Sequence, residues 1–145
     1  MKQNAINRSE RAKDLFNGPF NCAQSVASVF ADRMNVDKDV IMRLMSGFGF
    51  GMGGERSVCG ALTGGIAVIS ATIDDPAERV EIYDKVYYLI HEFKKQNGGK
   101  IHCLDLIGED PGDKEFQTVC PVLVESVVRL VEKITDTTRP PFSRG

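Results

Sequence analysis

The chain has no tryptophan, only two histidines, no C-x-x-C pair and no long apolar run. Each absence removes a class of protein. The longest apolar stretch, Ile66 to Ile73, falls far short of the ~20 residues that a membrane-spanning helix needs, so no membrane insertion is expected. Without C-x-x-C there is neither a zinc-ribbon nor a thioredoxin-type motif. The C-x-x-C-H needed for covalent c-type haem is missing too. A formal net charge of −2 lacks the basic excess of a nucleic-acid-binding face. The opening residues, Met-Lys-Gln-Asn-Ala-Ile-Asn-Arg, lack the apolar centre of a secretory signal. The expected location is therefore the cytoplasm, where thiols are kept reduced. The four cysteines are then expected to act chemically and not as structural disulfides.

What is present is helical periodicity. A length of 145 residues fits one domain, 1–145, with a polar tail from about residue 136 that carries Pro140-Pro141. Ala12, Leu15 and Phe16 recur at helical spacing, and Asn17-Gly18-Pro19 stops that helix. Asn21 has the chemistry to cap a second helix with Ala23, Val26, Ala27 and Phe30 on its buried side. Asp37 caps a third, with Val40, Ile41, Leu44, Met45 and Phe48 as its apolar stripe. The glycines of residues 47–54 each cost a helix about 1 kcal/mol relative to alanine, so this segment reads as a loop.

Beyond it, Ser57 reads as the cap of a central helix from about Cys59 into Ala71, although Val68, Ile69 and Ile73 also permit a strand. Asp74-Asp75-Pro76 opens a long helix to about Asn97, striped by Val80, Tyr83, Val86, Tyr87, Ile90 and Phe93. Asn97-Gly98-Gly99 ends it. A short turn, His102 to Ile107, and a polar loop, Gly108 to Phe116, follow. Thr118 caps a last helix in which Val122, Leu123, Val127, Leu130 and Ile134 repeat. The expected fold is all-α: a single-domain bundle of about five to six helices, with a Gly-rich loop before the central one. Its apolar stripes are compatible with a homo-oligomer.

Cys22, Cys59, Cys103 and Cys120 lie 37, 44 and 17 residues apart, so they form no local ligand pair. They share position instead: on this reading each stands in or just before the first turn of a helix. A helix N-terminus offers unpaired N–H groups and about half a positive charge. Both favour a thiolate and predict lowered thiol pKa values. Thiolates attack disulfides, and they also bind zinc, copper or an iron–sulfur cluster. Four small buried hydrophobes are the bland alternative, but these would be expected to scatter along the apolar stripes.

Other candidates are weaker. Gly49-x-Gly51-x-x-Gly54 matches the dinucleotide pattern, with Asp74 about 20 residues on, but a helix and not a strand precedes it. The glycines better suit a loop that must approach something closely, such as the thiolate site. His91 reads as a packed or solvated histidine. His102, beside Cys103, is a candidate fifth ligand or proton donor. Met42, Met45 and Met52 read as packing, not as a thioether copper site.

With the cysteines placed, the sequence resembles the four-cysteine family named C_GCAxxG_C_C, a group described as redox-active. The matching residues are Asn21-Cys22-Ala23, then Cys59-Gly60-Ala61-Leu62-Thr63-Gly64, then Cys103 and Cys120, from about Phe16 to Leu130. The approach Gly53-Gly54 is similar too. The central motif here runs Cys-Gly-Ala, whereas the family's printed name puts Gly first. The resemblance implies a helical fold and a redox role carried by the four cysteines. A related domain in split-Soret-type cytochromes is associated with a non-haem iron centre.

Four readings stand at this point. They are an iron–sulfur carrier or redox sensor working with an unidentified redox partner, a cofactor-free thiol–disulfide protein, a zinc or copper(I) module built on four cysteines, and a helical interaction module with inert thiols. Whether any of them is enzymatic is left open.

Overall fold

The computed structural model describes residues 7–136, and the expected polar tail lies outside them except for Asp136. Within them the chain is helical and contains no strand. The order is α1 (Arg8–Phe16), α2 (Cys22–Ser28), α3 (Ala31–Met34), α4 (Lys38–Leu44), a 3-10 turn (Ser46–Phe48) and α5 (Gly49–Gly53). Then come α6 (Gly60–Ala71), α7 (Arg79–Gln96), α8 (Cys103–Ile107), α9 (Asp113–Thr118) and α10 (Cys120–Asp136). No helix among them is long and apolar enough to cross a membrane.

Helix α6 is the centre of the bundle, packed against α2, α7 and α10. Its glycines explain why. A Cβ on Gly64 would stand 2.7 Å from the Ala23 carbonyl oxygen, so only glycine lets α2 come this close. The closed interior holds Val26 and Phe30, Leu62, Val68 and Ile69, Leu89 and Phe93, and Val124, Val127, Val128 and Val131, all fully buried. Removing any of the large ones would cost about 2–5 kcal/mol.

Local signals set several boundaries. The Asn21 side chain accepts from the Gln24 N–H at 2.8 Å while the Gln24 side chain accepts from the Asn21 N–H at 3.0 Å, a complete capping box. Asp37 caps α4 through the Asp39 N–H. Gly98 and Gly99, both at positive φ, follow α7.

Several expectations are corrected. The described residues contain more helical segments than five to six, because the second helix breaks after Ser28 into α3 and short helices occupy supposed loops. Residues 113–116 of the expected polar loop lie in helix α9, with the Glu115 side chain accepting from the Gly112 N–H. Thr118 therefore belongs to α9 and gives its hydroxyl to Lys114, and α10 begins at Cys120-Pro121. Ser57 does not cap α6, whose cap position is Cys59 itself. The stretch 60–71 is helix and not strand.

Helix α7 starts at Arg79 and not at Pro76, and its stripe is rotated. Val80, Tyr83 and Tyr87 are exposed, whereas Phe93 of the expected stripe is buried together with Leu89 and Lys85, the last paired to Glu81 at 3.2 Å. Val40 and Leu44 of α4 are exposed as well.

Candidate functional site

Each cysteine stands at a helix start: Cys22, Cys103 and Cys120 are the first residues of α2, α8 and α10, and Cys59 is the cap residue of α6. All four line one cavity of about 160 Å3, roughly ten times the ~10–15 Å3 that one water requires. Phe16, Phe50, Leu106, Ile107, Phe116 and Leu123 supply much of the rest of its wall, so the thiols face an apolar space. All four cysteines are free thiols.

Three local devices bring them there. First, residues 57–59 and 101–103 pair as a short antiparallel bridge at Val58 and His102. The Cys59 N–H donates to Ile101 at 2.8 Å and the Cys103 N–H to Ser57 at 2.6 Å, which fixes two cysteines side by side. Second, a Cβ on Gly60 would fall inside the contact distance of Cys22 Sγ, so the missing side chain is the space that the Cys22 sulfur occupies.

Third, α5 makes helix-type hydrogen bonds but winds left-handed, with Phe50 (φ 55°), Gly51 (φ 66°) and Met52 (φ 70°) in succession. L-residues adopt this at a cost of roughly 1–2 kcal/mol each. A Cβ on Gly51 would stand 2.6 Å from the Arg56 Cα and the Ser57 N, so the turn folds tightly against the segment leading to Cys59. Asn21 ties the 3-10 turn before α5 to the start of α2, its Nδ2 donating to the Ser46 carbonyl at 3.0 Å.

Burial dominates the thiol electrostatics. It pushes Cys59 and Cys120 up to about 12 and raises Cys22 also. Neighbouring cysteines add to each rise, since ionising one disfavours ionising the next. The N–H groups of Phe50 and Ala23 favour the Cys22 thiolate, and those of Ala61 and Leu62 favour that of Cys59. They do not outweigh desolvation. The expectation of lowered values at helix starts is thus overturned for these three: the dipole is present, but so is an apolar wall.

Arg56 was missed by sequence reasoning. Its Nε donates to Cys103 Sγ at 3.1 Å, and its Nη groups reach the carbonyls of Cys103, Gly108 and Glu109. The guanidinium lies over the Phe50 ring at 4.7 Å, and Phe50 in turn meets Phe116 at 5.6 Å. An arginine three residues before a candidate cysteine was the available signal.

Other candidates separate clearly. Asn21, Gly60 and Ala61 line the cavity; Gly53, Gly54 and Gly64 do not, the last serving the α2–α6 contact. His102 is not a lining residue. Its side chain is half exposed and faces Asp105 at 3.9 Å, because the bridge that turns Cys103 inward turns its neighbour out. His91 meets Tyr87 in a tilted ring contact, centroids 3.9 Å apart.

Fold and site together define a helical four-thiol domain. The chain belongs to the family described as "Putative redox-active protein (C_GCAxxG_C_C)", whose model matches residues 20–134. An "Uncharacterized protein" of Archaeoglobus fulgidus is similar, 31% identical over 116 residues, covering 72% of this chain and 76% of that protein. No solved structure matches.

Proposed function

We propose that the thiolates of Cys22, Cys59, Cys103 and Cys120 hold one iron–sulfur cluster and that the protein serves in electron transfer or redox sensing. The observation that carries this reading is the donor set and the size of the space it lines. Four thiols and no histidine, carboxylate or thioether line one cavity of about 160 Å3, much larger than one ion. A zinc site made of four cysteines needs four sulfurs about 2.3 Å from one point. Thiols spread round a larger void suit a polynuclear group better.

When bound, such a cluster supplies a one-electron couple with a potential set by its surroundings. The chain's own residues hold it, keep water out and tune it. The four cysteines would ligate. Phe50, Phe116 and Leu106 exclude water, and the amides near Cys22 and Cys59 favour charge on sulfur. Burial that raises thiol pKa values also argues against a cofactor-free dithiol, because neutral thiols are poor nucleophiles at neutral pH.

The test is purification without oxygen, followed by a visible spectrum and assays of iron, sulfide, zinc and free thiols. Brown protein with iron and sulfide in comparable amounts is expected. Colourless protein with zinc would favour the metal module, colourless metal-free protein with oxidant-dependent thiol loss the dithiol, and four unreactive thiols without metal the inert module. Each of these would overturn the cluster.

A further inference from the structure

None of the residues lining the cavity is charged. Four thiolates gathered there would repel one another, and the cavity wall gives them no counter-ion. Arg56 supplies one from the rim. It touches Cys103 Sγ through Nε, and its positive charge also favours the thiolate of Cys120. The other two cysteines have backbone amides in that role.

The side chain is held from both sides. Carbonyls of Cys103, Gly108 and Glu109 accept from its Nη groups, and the Phe50 ring lies beneath it. Its backbone carbonyl accepts from the Leu104 N–H at 3.2 Å, and its φ of 64° is a conformation that arginine rarely takes. Backbone strain of this kind persists where the surroundings over-determine it, and it clusters at functional sites. A plain surface arginine would need none of this.

We infer that Arg56 is the counter-charge and positioning residue of the cysteine site, acting through Cys103 to fix that ligand and to raise the reduction potential of the bound group. This rests on the cluster reading above. The sign follows from charge: reduction adds an electron to an already anionic site, and a fixed cation stabilises the reduced state more than the oxidised one. The planar fork matters as well, since lysine keeps the charge but cannot bridge Sγ and three carbonyls at once.

The experiment is a redox titration, followed by visible absorption, of anaerobically reconstituted wild type, Arg56→Lys, Arg56→Gln and Arg56→Met, with circular dichroism as the folding control. The expected result is a lowered midpoint potential in the Gln and Met variants, with Lys restoring most of the loss. Unchanged potentials in folded Gln or Met variants would overturn the inference and leave the cluster reading intact. A Lys variant shifted as far as Gln would overturn the counter-charge role. If neither neutral variant folds, the Arg56→Lys variant decides, since it loses the planar fork but keeps the cation. Its potential should stay near wild type, and a large drop would show that the fork and not charge sets it. A wild type that takes up no iron or sulfide overturns both this inference and the cluster reading.

Discussion

The cysteine site has two unlike halves. Cys22 and Cys59 ride on α2 and α6, the closely packed pair at the centre of the bundle, where Gly64 lies against Ala23 and Gly60 against Cys22. Cys103 and Cys120 begin α8, only five residues long, and α10, and the first of these is held by a backbone bridge and by Arg56. In the first half, packing places the sulfur and amides stabilise it. In the second, a few polar contacts and one guanidinium do both. Packing cannot be undone locally without opening the core, whereas a bridge and an ion contact can, so the second half is the natural place for the site to open.

The largest expected effect comes from removing a sulfur in the rigid half. Cys59→Ser should abolish iron and sulfide retention while the helical circular dichroism stays near wild type; full retention would end the central role of Cys59. Next is Gly60→Ala, which drives a methyl group into Cys22 Sγ. Overpacking of this kind costs about 1–3 kcal/mol, measurable by urea unfolding, and it should displace Cys22 enough to lower iron content several-fold. A variant as stable and as iron-rich as wild type would show that the cradle is not tight.

Hydrogen exchange on the metal-free protein reads the two halves directly. Amides of α8 and α9 should exchange well before those of α2 and α6, and equal protection would erase the distinction.

A smaller effect comes from pH. Cys59 is raised from its ordinary value near 9 to about 12 by burial, so the unfolded chain loses that proton first. The stabilisation is complete below about 9 and is lost as pH rises towards 12. The midpoint of urea unfolding should fall over that window, and Cys59→Ser should flatten part of the fall. The same protons must leave when metal binds, so iron uptake should be faster at about pH 8.5 than at about pH 6.5. Smallest of all is His102→Ala, expected to change iron content less than twofold, since the ring is turned away from the cavity.

Much of the architecture was legible because the relevant signals are local. Asn21 and Gln24 are three residues apart and complete their capping box without help from the rest of the chain. Gly98-Gly99 ends α7 in the same way. Cysteines at helix starts could also be read, since a helix start is a local feature. Which side of a helix is buried is not local. Periodicity defines an angle, and of the expected α7 stripe Phe93 is buried while Val80, Tyr83 and Tyr87 are exposed, with Lys85 and Leu89 buried in their place, the latter against Gly65 of α6.

The thiol electrostatics escaped for a related reason. The helix dipole is written in the sequence, but the apolar wall that outweighs it is assembled from Phe16, Phe50 and Phe116, far apart in the chain. Arg56 and the Val58–His102 bridge are likewise long-range contacts, spanning the interval between Cys59 and Cys103.

In the proposed function, four thiolates surround one polynuclear group. Iron K-edge X-ray absorption on protein reconstituted without oxygen tests it most directly. A first shell of sulfur alone with an iron neighbour beyond it is expected. A first shell containing nitrogen or oxygen, or sulfur ligands with no second iron, would contradict it.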